Sequence, residues 1–154
     1  VWSGVTYSVA AMLLRRGLTD EAVKLVAAVN RCHDGVCRNP FNEAECGHHY
    51  ARSMASWALI TAWSGMQPDL PAGRINFDPV FADDGLAFFS CARAWGLLGC
   101  LNGSWTAHVL GGCLDGVKVT VRHRPVDVVN GWPDGATMRD MQESCTDIPS
   151  NNRK

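Results

Sequence analysis

The hydrophobic pattern of this chain changes character near Gly73, and that change constrains the fold more than any other feature. Before it, apolar residues recur at every third or fourth position, which is typical of amphipathic helices. After it, short apolar runs appear, and Val117, Val119 and Val121 alternate with polar residues as in a half-buried strand. Helices followed by strands predict an α+β fold that is mainly helical in its first half.

The helical half contains three predicted helices, over residues 4–16, 19–31 and 48–64. Gly17 and Gly65 are placed to end the first and the third, and Thr19 is placed to cap the second. Because the first two are joined by so short a turn, we expect them to form an antiparallel hairpin. Residues 31–47 have no periodicity and are expected to form a long irregular loop, a type of segment that is more often functional than idle.

The second half is predicted to contain short antiparallel strands and hairpins. The candidate strands surround Ile75, Phe88 and Ala94, and the two clearest span residues 105–110 and 117–122. Gly96 and Gly99 are expected to interrupt the run that begins at Ala94. The signal decays beyond Pro125, so we divide the chain into residues 1–124, which carry the fold, and an irregular, partly disordered tail over residues 125–154.

Composition excludes several classes of function. The net charge is −1, which argues against a nucleic-acid partner and against binding to an acidic membrane surface. The longest apolar runs are far too short for a membrane span. Seven cysteines, an odd and scattered set, fit free thiols in the reducing cytoplasm better than a secreted disulfide framework.

Polar residues that can carry chemistry concentrate in residues 39–57, at the start of the third predicted helix. Glu43 and Glu45 offer carboxylates, and Arg52 offers a planar fork of N–H donors. Carboxylates and guanidinium groups bind sugar hydroxyls through strong, charge-assisted hydrogen bonds, so this segment is a candidate sugar-binding site. The alternative is an exposed ion pair with no binding role.

The same region also contains a possible zinc site. Cys32, Cys37, Cys46 and His48 are close in sequence, and thiolates and imidazoles are zinc ligands. Their spacing lacks the paired C-x2-C knuckles that make a zinc assignment strong, so we expect no metal and no cofactor. A small zinc-stapled interaction module remains the alternative function from a different class.

Three segments together resemble one enzyme family. They are VWSGVTYSVAA at the start of the chain, NPFNEAECGHHYARSMASWA in the middle and FFSCARAWGLL farther on. They are similar to the C-terminal part of glycoside hydrolase family 116, which includes β-glucosidases and non-lysosomal glucosylceramidases. This resemblance covers about residues 1–121. It implies that the helices are the last ones of an (α/α)6 toroid and that the substrate is a β-linked glucoside or related glycoside.

The resemblance also implies roles for individual residues. Trp2 occupies the position of a pocket tryptophan, and Glu43 with Arg52 has the spacing of the pair that holds the 4- and 6-hydroxyls of the nonreducing glucose. Glu45 is the rival for the acidic role, and Arg52 could instead match a second family arginine slightly farther along the helix. The family often has an acid at the position of His48, so no role is assigned there.

The resemblance assigns no catalytic residue to this chain. Family members are retaining enzymes that use two carboxylates, and none of the fifteen acids matches either motif. We therefore expect a C-terminal fragment that is inactive alone and needs the N-terminal part of the same enzyme. A non-catalytic carbohydrate-binding relative is a further alternative. An isolated fragment is also expected to expose apolar helix faces and to self-associate.

Overall fold

The computed structural model describes residues 2–38, 42, 52–82 and 84–132, with the backbone alone for residues 52 and 53. The first part is helical: α1 spans Ser3–Arg15, α2 spans Thr19–Cys32, a 3₁₀ helix spans Arg52–Ser56, and α3 spans Trp57–Ser64. The predicted limits of the first two helices are correct to within one residue at each end. Leu18 rather than Thr19 is the residue at the N-terminal cap of α2, without a side-chain capping bond.

The helices α1 and α2 form the expected antiparallel hairpin. Gly17 has a φ of 74° and its N–H donates to Leu14 O at 3.0 Å, while Leu18 N donates to Leu13 O at 3.0 Å. This pair of bonds is a Schellman motif, which ends α1 and reverses the chain. At the far end of the hairpin, the Tyr7 hydroxyl donates to Asn30 Oδ1 at 3.2 Å.

The third helix runs beside α1 in the same direction. Ala55, before α3, lines a shallow groove with residues 4–12 of α1, whereas Leu59 and Trp63 of α3 share a cavity with Leu14 near the end of α1. Small side chains allow a close approach, because Ala10, Ala22 and Ala62 are almost fully buried where the three helices meet.

The second part of the chain forms two four-stranded sheets. The strands are β1 (Met66–Asp69), β2 (Arg74–Phe77), β3 (Gly85–Ser90), β4 (Ala94–Leu101), β5 (Ser104–Gly112), β6 (Lys118–Val121), β7 (Arg124–Pro125) and β8 (Asp127–Asn130). One sheet has the order β1-β2-β6-β7 and the other the order β3-β4-β5-β8. Each contains one parallel pair, β2 with β6 and β5 with β8, and the remaining pairs are antiparallel.

The two sheets pack face to face around the main core. Ile75, Phe77, Val119 and Val121 come from the first sheet, and Phe89, Leu98, Ala107 and Val109 come from the second. The rings of Phe77 and Phe89 meet edge to face across the interface, with centroids 5.4 Å apart. The helices lie on the outer face of the second sheet, since α3 packs against β3 and its residues share a cavity with Leu86 and Phe88.

The structure corrects the predicted architecture. The described residues contain only three short α-helices and two mixed sheets, so the protein is a small α+β fold and the prediction of an (α/α)6 toroid is wrong. The prediction of antiparallel hairpins alone is also wrong, because two strand pairs are parallel. Residues 127–130 form β8 within the segment that was expected to be an irregular tail.

Candidate functional site

Trp2 is the predicted sugar-binding residue that the structure describes most fully. It directly precedes α1, in extended conformation with φ −95° and ψ 104°. Its carbonyl oxygen accepts hydrogen bonds from Thr6 N and Thr6 Oγ1, both at 3.0 Å, which ties the residue to the first turn of the helix. Half of its surface, 51%, is exposed. The backbone at Trp2 is therefore held in place while much of the indole remains accessible to a ligand.

The fold brings the backbone of Arg52 towards the end of the helical layer that carries Trp2. Arg52 begins the 3₁₀ helix that leads into α3, and α3 runs parallel to α1. The start of this helical run therefore lies near the start of α1. The side chain of Arg52 lies outside the described residues, so the structure gives the position of its backbone alone.

Glu43, Glu45 and His48 lie outside the described residues. The end of α2 precedes the segment that carries them, and the 3₁₀ helix follows it. The helix α2 is antiparallel to α1, so Cys32 at its end lies at the Trp2 end of the layer, and the 3₁₀ helix begins at this end as well. The described residues before and after this segment therefore lie at the end that carries Trp2.

A turn at this end of α2 contains an acid that sequence reasoning missed. Asp34 Oδ1 accepts hydrogen bonds from Cys37 N at 2.8 Å and Val36 N at 2.9 Å. The bond from Cys37 N has the larger effect and the bond from Val36 N the smaller one. Both stabilise the carboxylate and lower the pKa of Asp34 below its ordinary value. The Asp34-Gly35 dipeptide was the available signal, because aspartate before glycine is typical of such turns.

His33 lies beside this turn and offers a hydrogen-bonding atom. Its Nδ1 is 3.1 Å from Val29 O, so the neutral ring donates through Nδ1 and leaves Nε2 as an acceptor. That Nε2 atom is buried, and no hydrogen-bond partner for it occurs among the described residues. Because this atom has almost no exposed surface, it is not accessible to a ligand from solvent.

The described residues give no support to the alternative of a zinc site. Cys32 and Cys37 are free and exposed. Over residues 2–38, 42, 52–82 and 84–132, no three His, Cys, Asp or Glu side chains lie close enough together to hold a metal ion. Cys46 and His48 lie outside those ranges.

Comparisons with known proteins give no family assignment. No protein-family model matches the sequence, and no curated protein is significantly similar to it. Among the described helices, none is long and apolar enough to cross a membrane.

The chemistry of this end of the helical layer suits binding of a neutral, hydroxyl-rich molecule. Trp2 provides an exposed apolar face, and Asp34 provides a carboxylate that stays ionised near neutral pH. A sugar ring has both C–H faces and hydroxyl edges, so it can use an aromatic surface and hydrogen-bonding groups at once.

Proposed function

We propose that this chain forms part of the substrate-binding wall of a retaining β-glycosidase related to glycoside hydrolase family 116. The observation that supports the proposal is topological: the antiparallel α1–α2 pair and the parallel α3 bring Trp2, the start of the 3₁₀ helix at Arg52 and the end of α2 to one end of the helical layer. The segment with Glu43 and Glu45 connects to this same end.

In this proposal the residues position the sugar and do not break the bond. Trp2 contacts the face of the nonreducing glucose, and Arg52 with Glu43 or Glu45 binds its outer hydroxyls. Charge-assisted hydrogen bonds of this kind accelerate cleavage when they strengthen as the ring distorts towards the oxocarbenium-like transition state. The two catalytic carboxylates come from the rest of the enzyme, so the chain alone does not hydrolyse the glycoside.

We also place the enzyme in the cytoplasm. Cys32, Cys37, Cys91, Cys100 and Cys113 are all free thiols in the described structure. Free thiols in this number are typical of proteins that work in a reducing compartment.

The direct test is replacement of Arg52 by alanine in the complete enzyme. Loss of a charged partner of the sugar hydroxyls should lower kcat/KM on 4-nitrophenyl β-D-glucoside by roughly 30- to 700-fold, or about 2–4 kcal/mol of transition-state binding. Steady-state kinetics on the purified variant would measure it.

Arg16→Ala is the matched control, because Arg16 is an exposed arginine just beyond α1, at the opposite end of the helical layer. It should leave kcat/KM within about twofold of the wild-type value, as for a surface substitution away from the site. Near-normal kcat/KM in Arg52→Ala would refute the assignment.

A further inference from the structure

A second cleft, separate from the Trp2 end, lies between α3 and β3. Its volume is about 360 Å³, and its lining includes the aromatic side chains of Trp57 and Phe88 together with Thr61 and Ser90. Trp57 is 65% exposed. None of the described residues that line the cleft is an Asp, Glu, Lys, Arg or His. The cleft therefore combines aromatic surface with hydroxyl-bearing residues and no formal charge.

The aromatic surface continues beyond the cleft onto β4. Trp95 is paired with Ser90 across the sheet, and its ring centroid is 6.4 Å from that of Phe88 with an angle of 34° between the planes. The exposed fractions are 46% for Trp95 and 38% for Phe88. Two neighbouring rings at a modest angle give an extended, nearly continuous surface along the edge of the cleft.

Gly111 on β5 explains how Trp95 lies against the sheet. A Cβ atom at position 111 would come within 2.8 Å of Trp95 Cε2, so the indole packs directly over the glycine backbone. Gly111 and Trp95 are also partners in the ladder between β4 and β5. The indole is thus supported by the sheet backbone although nearly half of its surface is exposed.

We infer that this cleft and the adjoining Phe88–Trp95 surface form a binding site for an extended, uncharged oligosaccharide, beyond the site of the proposed function. Aromatic faces pack against the C–H faces of sugar rings, and the hydroxyls of Thr61 and Ser90 can exchange hydrogen bonds with sugar hydroxyls. A nucleic acid would need cationic groups for its phosphates, which the described cleft lining lacks. A purely apolar ligand that covered Thr61 and Ser90 would separate their hydroxyl groups from water without replacing those hydrogen bonds.

The test uses the unmodified chain and cellohexaose, a β-linked oligosaccharide with an extended shape, in isothermal titration calorimetry. Cellohexaose should bind saturably, whereas the helically coiled maltohexaose and a thymidine hexanucleotide should bind at least about tenfold more weakly. Amide NMR shifts in the same unmodified protein should change for Thr61, Ser90 and Trp95, which checks the location without any substitution.

One substitution and a matched control test the location of the site. Trp95→Ala should weaken cellohexaose binding by about tenfold or more, equivalent to about 1.4 kcal/mol. Leu101→Ala is the matched control, since Leu101 is also exposed, at 67%, but lies at the opposite end of β4 from Trp95. It should bind as the wild type does. Circular dichroism would verify that both variants fold.

Failure of this inference and failure of the proposed function give different results, because the amide shifts of Thr61, Ser90 and Trp95 and the Trp95→Ala variant report on this cleft, whereas kcat/KM of Arg52→Ala in the complete enzyme reports on the site of the proposed function. The inference would be overturned by the lack of saturable binding at millimolar cellohexaose. Equal binding of maltohexaose or the oligonucleotide would also overturn it, as would shift changes that avoid Thr61, Ser90 and Trp95.

Discussion

At the scale of single residues, Gly65 determines how the helices join the sheets. It ends α3 with a φ of 61°, in the left-handed region that favours glycine. A Cβ atom there would overlap the backbone carbonyl of Asp78. Asp78 N in turn donates to Gly65 O at 3.0 Å, and Val80 N donates to Trp63 O at 3.1 Å. The chain that leaves β2 can therefore return against the end of α3 only if residue 65 has no side chain.

Gly65→Ala should destabilise the protein by about 2–5 kcal/mol, the sum of left-handed strain and a steric clash with fixed backbone. Gly103→Ala is the control, because Gly103 has a φ of 75° but a Cβ atom at this position would meet no other atom within 4 Å. It should therefore cost only about 1–2 kcal/mol, the strain alone. Chemical denaturation would compare the two, and equal losses would refute the close-approach argument.

Gly96 shows why the strand β4 could not be fully delimited from sequence. Gly96 was expected to interrupt the strand, yet Ala94–Leu101 is continuous, with a register shift between Trp95 and Gly96. A side chain at Gly96 would collide with the carbonyl group of His108 on the neighbouring strand. The glycine thus reflects a tertiary contact, which local propensity cannot reveal. The Asn102-Gly103 pair was a usable local signal, since both residues have positive φ in the turn from β4 to β5.

At the scale of secondary-structure elements, the first two helices were predictable because the information for them is local. Apolar spacing and the glycine stop at Gly17 determine α1, and the short turn determines the hairpin. Strand pairing was not predictable in the same way. Ile75 pairs with Val119 in a parallel ladder, and Ala107 pairs with Val128, so each partner is distant or in the weakly patterned tail.

The helix α1 exposes an apolar stripe that should cause self-association. Val5, Val9 and Met12 follow helical spacing, are exposed by 50%, 38% and 54%, and line a shallow groove with Ala55. Apolar surface of this kind favours contacts between copies. We expect the isolated chain to form oligomers at micromolar concentration, and Val9→Glu with Met12→Glu to shift it towards monomer.

Size-exclusion chromatography with light scattering would measure the mass. Val36→Glu is the control, because Val36 is 90% exposed in the turn after α2 and apart from the stripe. It adds a negative charge without altering α1. A monodisperse monomer of the unmodified chain would contradict the expectation.

At the scale of the whole molecule, a column of side chains connects the layers. Trp63 of α3 stacks on Phe81 with centroids 5.8 Å apart, and Phe81 contacts Trp105 of β5 at 5.3 Å. The guanidinium of Arg122, at the turn between β6 and β7, lies 5.9 Å from the Trp105 ring centroid. Helices and both sheets are therefore joined through packed aromatic groups and one cation–π contact.

The general class, helices first and strands second, followed from hydrophobic periodicity, but the architecture did not. The toroid was inferred from three sequence segments, which carry no information on how Phe77 and Phe89 bring two sheets together. The sequence singled out Trp2 and Arg52, whose backbones lie at one end of the helical layer. The turn at Asp34 and the buried ring of His33 at the same end were not indicated by spacing alone.

The proposed contact between Arg52 and an outer hydroxyl of the glucose ring can be tested directly. The most direct measurement is kcat/KM of the complete enzyme on 4-nitrophenyl β-D-glucoside and on its 4-deoxy and 6-deoxy analogues, with and without Arg52→Ala. If Arg52 binds this hydroxyl, Arg52→Ala will strongly lower kcat/KM on the parent glucoside. It will lower kcat/KM much less on the analogue that already lacks the hydroxyl bound by Arg52. An equal loss on all three substrates would show that Arg52 affects the fold rather than the sugar, and would contradict the proposed contact.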